Sequence, residues 1–211
     1  MEARAVIGEM VQRYAGFKSY SDTGEVTFTH PDFVTKTRFS TYYSAPSLFR
    51  FEFRVPHPHP PLSHVVSQHA VGFDGTKAYA IRKAFKGDEK LEWLDSIGLA
   101  IAGASAISCG SALTIGRLLV ADMQGLAISE LIDAEFNEDT VVDKIACYSI
   151  AAQYASFPGK CELQIEKEAL LLRRLLSEHK TSSFQESRMN IRINEPIDDA
   201  VFAATLRDRA A

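Results

Sequence analysis

The sequence predicts an α+β protein: one large curled antiparallel sheet with helices on its apolar face. Three observations predict it. Short segments with a period of two recur from Glu25 to Ile193. They are joined by turn chemistry such as Pro31-Asp32, Asp74-Gly75 and Asn194-Glu195-Pro196, not by crossover helices. One stretch breaks the pattern: Leu91 to Ile128 is apolar, rich in small residues, and helical in period.

The chain begins with a helix, Glu2 to Phe17. Val6, Ile7, Met10, Val11 and Tyr14 share one face, and Gly16 supplies a stop. Glu25 to His30 is the first strand, with Val26 and Phe28 on one face. Val34 to Ser44 is the second, followed by the turn Ala45-Pro46-Ser47. Phe49 to Val55 alternates most clearly: Phe49, Phe51, Phe53 and Val55 face one way, Arg50, Glu52 and Arg54 the other. His57 to His64 (HPHPPLSH) is a loop, because proline lacks the donor a central strand needs. His64 to Phe73 and Thr76 to Arg82 then form a hairpin across Asp74-Gly75.

The insert follows, over about residues 88–128, with Asp88 as a candidate cap. Leu94, Ile97, Gly98, Ile101 and Ala102 trace one helical face, and Leu113, Gly116, Leu119, Val120 and Met123 another. Ser108 to Ser111 breaks the two apart. A meander completes the sheet: Leu131 to Phe136, Lys144 to Tyr154, Cys161 to Lys167, Leu170 to Glu178 and Phe184 to Ile193. In the last, Met189, Ile191 and Ile193 are set against Arg188, Asn190 and Arg192. Asp198 to Arg209 is a short helix or turn. The total is about nine to eleven strands, and a sheet of that size must curl or close. Helices or a ligand must then cover its apolar side.

The net charge of −4 and a pI near 5.9 argue against nucleic acid and anionic membrane surfaces as partners. Three cysteines, Cys109, Cys147 and Cys161, do not make a disulfide framework; small buried hydrophobes is the plain reading, with a Cys147–Cys161 pair as the alternative. Asp95, Glu92, Arg117 and Asp122 interrupt the insert, so it is no membrane span.

With this layout the chain resembles the periplasmic lipoprotein-carrier superfamily, LolA/LolB-like. The resemblance is carried by the helix leading into FKSYSDTGEVTF, by YYSAPSLFRFEFR, by AVGFDGTKAYAI with the insert after it, by DKIACYSIAAQY with CELQIEKEALLLRRLL, and by the closing NEPIDDAVF. It implies a single domain over residues 1–211: an unclosed half-barrel with a helical lid over an apolar cavity. It also implies reversible binding of acyl chains or another lipid outside the cytoplasm, the start of the chain being what a removed signal peptide would leave. Inner- or outer-membrane proteins are the implied further partners. One departure stands out. The carriers have an arginine before the proline of the YYSAPS turn, which latches the lid, and here that position is Ala45.

The candidate lining of the cavity is Phe49, Phe51, Phe53, Tyr79, Ile81, Leu94, Ile97, Ile101, Leu119, Tyr148 and Ile150. Gly98, Gly103 and Gly116 would let the lid approach closely. His57, His59, His64 and His69 lie within one short stretch, and clustered imidazoles suit zinc or copper, but the spacing matches no metal signature. They also offer titration near neutral pH. No Gly-x-Ser-x-Gly elbow or phosphate-binding loop appears. The expectation is a non-enzymatic binder without cofactor. An interaction module docking a protein partner is the alternative, and a metal-dependent enzyme the third.

Overall fold

The computed structural model describes residues 2–57, 60–85, 87–123, 131–155 and 159–206. Among them, twelve strands form one antiparallel sheet. They are β1 Ser19–His30, β2 Phe33–Ser44, β3 Leu48–Pro56, β4 Val66–Phe73, β5 Ala78–Lys83, β6 Glu89–Leu94, β7 Leu131–Phe136, β8 Thr140–Val142, β9 Ile145–Tyr154, β10 Lys160–Glu166, β11 Leu172–His179 and β12 Ser182–Ile193. Three helices accompany them: α1 Ala3–Ala15, α2 Ile97–Ser105 and α3 Ser111–Leu119.

The sheet order is β6-β5-β4-β3-β2-β1-β12-β11-β10-β9-β7, with β8 also paired to β9. The sheet is open, ending in β6 on one side and β7 on the other. Every pairing but one joins near neighbours in the chain. The exception is β1 with β12, which makes the central seam.

The inner face carries the main core. Phe49, Phe51, Phe53, Val71, Ile150 and Leu163 are buried there beneath all three helices. Helix α1 places Val6, Ile7, Met10 and Tyr14 against it, as the spacing requires. Helix α2 is capped by Ser96, whose hydroxyl accepts the Leu99 N–H at 3.2 Å. Gly116 is the one lid glycine demanded by close approach: a Cβ there would lie 2.8 Å from Ile101 Cδ1. The outer face is covered by the C-terminal segment, where Val201 and Phe202 pack on Tyr42, and Ala204 and Leu206 on Ala70, Tyr79 and Ile81.

Three expectations need correction. Leu91 to Leu94 is not helix but strand β6, paired with β5 through Ala78↔Leu94 and Ile81↔Leu91. An edge strand with both faces wet shows no apolar alternation, so Leu91, Leu94 and Ile97 imitate a helical stripe. The lid helices begin only at Ile97; the insert's expected end at Ile128 lies outside the described residues. Tyr79 and Ile81 point to the outer face, because they pair with Gly72 and Ala70, which oppose Arg50 and Glu52. In β12 the phase reverses within the strand. The four residues from Met189 to Arg192 oppose the three from Ser21 to Thr23, and Asn190 takes φ 52°. This bulge turns Arg188 inward while Met189 is 41% exposed. Cys147 and Cys161 lie on opposite faces and are free thiols.

Candidate ligand cavity

Phe49, Phe51, Phe53, Ile97, Ile101, Leu119 and Ile150 do come together on the inner face, with Leu94 and Tyr148 at the margin. They are packed solid, the three phenylalanines and Ile101 at no more than 2% exposure. None of the predicted lining residues borders the inner cavity that is present. Alternation reports that a side chain is buried; it does not report whether its neighbours leave space.

That space lies further along the strands. A cavity of about 270 Å³ opens between the α2–α3 hairpin and strands β9, β11 and β12. Leu113, Thr114 and Arg117 of α3 form its roof, with Cys109 of the interhelix turn. Leu175 and Ser177 of β11, Phe184 and Glu186 of β12, and Tyr154 of β9 form its floor and wall. Its aromatic border continues outward. Phe184 stacks on Phe28 at 4.7 Å, Phe33 meets Phe28 edge-on at 5.6 Å, and Phe33 is 47% exposed.

Beside this cavity sits an ion cluster. Arg188 donates to Asp22 Oδ2 at 2.5 Å, to Glu186 Oε1, and to the Ser111 carbonyl at 3.2 Å. All three charged side chains are buried. The guanidinium lies 4.8 Å from the Phe39 ring. Burial pushes the Glu186 carboxyl upward, against the pull of Arg188 and a hydrogen bond from Thr114. Because Ser111 opens α3, Arg188 ties the lid to the sheet. The expected latch position, Ala45, is thus vacant of arginine while an arginine on another strand contacts the lid.

The outer face carries a matching group. Arg50 is fully buried; it donates to the Ala203 and Thr205 carbonyls, each at 2.7 Å, to Tyr79 Oη at 3.2 Å and to Glu52 at 2.9 Å. Tyr79 in turn donates to the Phe202 carbonyl at 3.1 Å. A second recess, of about 520 Å³, lies on this side. Glu25, Arg38, Glu52 and Arg54 charge its walls, and Met189 and Leu206 border it.

Among the described residues the histidines do not converge on a common point. His69 is in β4, stacked on Phe53 at 4.8 Å, with Nε2 2.9 Å from Ser67 Oγ. Burial, aided by Arg82, pulls its pKa down to about 4, so it does not titrate near neutrality as expected. His57 packs edge-on against Phe85 at 4.7 Å. His59 lies outside the described residues. Among the described residues no three potential ligands surround a metal position, and no helix is long and apolar enough to cross a membrane.

Comparison with solved structures speaks to this architecture. LprF from Mycobacterium bovis superposes with a TM-score of 0.54 over 93% of this chain and 94% of its own, at 12% identity. The Mycobacterium tuberculosis lipoprotein LppX gives 0.52 over 93% and 97%, at 14% identity. The fold is LolA-like. Its parts are the N-terminal helix, the helical hairpin and the unclosed sheet. A LolA superfamily protein from Nitrosomonas europaea aligns more loosely, at a TM-score of 0.41 and 8% identity over 96% of this chain and 98% of its own. No family model matches the sequence, and no curated protein does. The likeness to LprF and LppX is therefore one of backbone. In this chain Arg188 adds a hydrogen bond between sheet and lid to their apolar packing.

Proposed function

We propose that this protein is a non-catalytic binder of a hydrophobic ligand, a lipid or the acyl chain of a lipoprotein, acting in the cell envelope. The described chain is read as one domain whose α2–α3 hairpin is the lid. The cavity beneath that hairpin, with its aromatic border, is the observation that carries the reading. Each methylene moved there from water gains about 0.8 kcal/mol, so roughly eight supply about 6 kcal/mol before association costs. At about 270 Å³ the cavity falls just below ligand pockets of about 300–1,000 Å³. A longer chain would run out along Phe184, Phe28 and Phe33 or displace the hairpin. The lipoprotein LppX, which has the same fold, supports the envelope setting.

The test is uptake of a fluorescent acyl probe, with native mass spectrometry of the purified protein. Leu113→Trp would fill the cavity and is expected to abolish uptake with the melting temperature little changed. Unchanged uptake would remove the cavity from the proposal. The charged outer recess favours a second reading, in which a protein partner docks there. Reversing Arg38 and Arg54 to Glu would weaken such a partner and leave acyl uptake intact.

A further inference from the structure

The inner cavity runs opposite to an ordinary acyl tunnel: the three buried residues of its lining are polar, and its leucines and phenylalanine are only partly covered. Glu186, Ser177 and Thr114 are buried to 4, 8 and 9% exposure. Tyr154 hydrogen-bonds to Ser177, and Thr114 to Glu186, so the deep end is a set of hydroxyls around one carboxyl group. Phe184 and Phe28 are only partly covered, and Phe33 is exposed. A hydrocarbon tail entering first would bury the Glu186 carboxyl against methylenes and strip its remaining water, which is costly without a replacement hydrogen bond. A polar head entering first would supply that bond and leave its tail along the phenylalanines.

Charge narrows the head group. At the floor, Asp22 and Glu186 share Arg188, one positive charge against two negative. Arg117 on the roof adds a second positive charge, so Asp22, Glu186, Arg188 and Arg117 together carry no net charge, which a neutral head group leaves undisturbed. An anionic head would bring an uncompensated negative charge beside the buried Glu186 carboxyl.

We infer that the cavity takes an uncharged, hydroxyl-bearing amphiphile of the monoacylglycerol class, head group inward, in preference to a free fatty acid. The hydroxyls donate to Glu186 and to the hydroxyl oxygens of the Thr114, Tyr154 and Ser177 cluster, and the acyl chain lies along Phe184 and Phe28. This rests on the cavity reading above and adds the class of ligand and its direction.

The experiment is displacement of an uncharged fluorescent alkyl probe from the full chain at pH 8 by monolaurin and by laurate, which have the same acyl chain. Monolaurin is expected to bind about tenfold or more tightly than laurate, the size of effect a hydrogen bond to a charged acceptor gives. Glu186→Gln is expected to shrink that ratio by raising laurate affinity. Laurate binding as well as or better than monolaurin would overturn the inference while leaving the cavity as an acyl site. Failure of the probe and both lipids to bind would overturn the cavity reading along with it. The comparison on the unaltered chain decides the matter even if the Gln variant does not fold.

Discussion

Two arginines, Arg50 and Arg188, are buried on opposite faces of one sheet, and they are built alike. Each lies directly across from a glycine: Arg50 opposes Gly72 and Arg188 opposes Gly24. At each glycine an aromatic ring occupies the place a side chain would take. A Cβ on Gly72 would lie 2.5 Å from Tyr79 Oη, and one on Gly24 would lie 2.6 Å from Phe39 Cε2. Each arginine then fastens a segment outside the sheet by its backbone carbonyls, the C-terminal segment for Arg50 and the lid for Arg188. The difference is in their counter-charges. Arg50 has one partner, Glu52, at the edge of solvent; Arg188 has two carboxylates, both buried. One is mainly a backbone clamp; the other also neutralises charge that has nowhere else to go.

The strongest way to break the comparison is to remove each arginine. Arg188→Met would strand Asp22 and Glu186 without a cation and is expected to cost about 3–5 kcal/mol in urea unfolding. Adding Asp22→Asn and Glu186→Gln should recover most of that loss; no recovery would mean that the lid contact, not the charge, dominates. Arg50→Met should cost less, about 2 kcal/mol, since Glu52 and the freed carbonyls can turn to water. Its distinguishing sign is faster amide exchange over Asp199–Phe202, measured by mass spectrometry; equal exchange there would refute the clamp.

The glycines sharpen the same point. Gly24→Ala and Gly72→Ala each set a Cβ against a ring and 2.4 Å from a backbone carbonyl, that of Ser187 or of Phe49, and each should cost about 1–3 kcal/mol. Thermal melts that matched wild type at either position would show the ring to be free to move. The smallest effect is in pH. Glu186 has its folded pKa raised above the unfolded value near 4.5, so the folded state holds the proton more tightly. Its contribution therefore falls as pH rises from about 4.5 through the raised value and is flat above it. His69 acts in the other sense: with a folded pKa of about 4 against 6.5, its contribution is lost as pH falls between them. The difference in unfolding free energy between wild type and Glu186→Gln cancels His69 and should retain the Glu186 slope; a flat difference would mean the carboxyl is not perturbed.

Ten of the strands and the parity of β3, β9 and β10 were legible in the sequence, because Phe49, Phe51 and Phe53, or Cys161, Leu163 and Ile165, alternate with polar residues against a buried face. The remaining strands were not. β6 is an edge with Trp93 at 49% and Leu91 at 43% exposure, so hydrophobicity does not mark its inner side. β8 is only three residues long. The site was less legible than the fold. A sequence pattern can say that Phe51 is inside, but a cavity depends on how α3 sits over β11 and β12, and that is a matter of shape. Arg188 escaped notice because one extra residue in β12 reverses the face on which the second half of the strand appears.

The seam between β1 and β12 has a consequence for the order of events in folding. β1 to β6 pair in chain order, as do β9 to β12, so each half can grow from local hairpins. The seam must bring together residues as far apart as Asp22 and Arg188, 166 positions along the chain. Closing so long a loop is slow, and it makes the joining of the two halves the late event. Contacts formed late govern how fast the native state is left, not how fast it is reached. Loss of Arg188 should accordingly quicken unfolding and leave the refolding rate nearly unaltered, and a shifted refolding limb in stopped-flow measurements would place the seam early instead. The group that ties the lid to the sheet would then also set the lifetime of the folded chain.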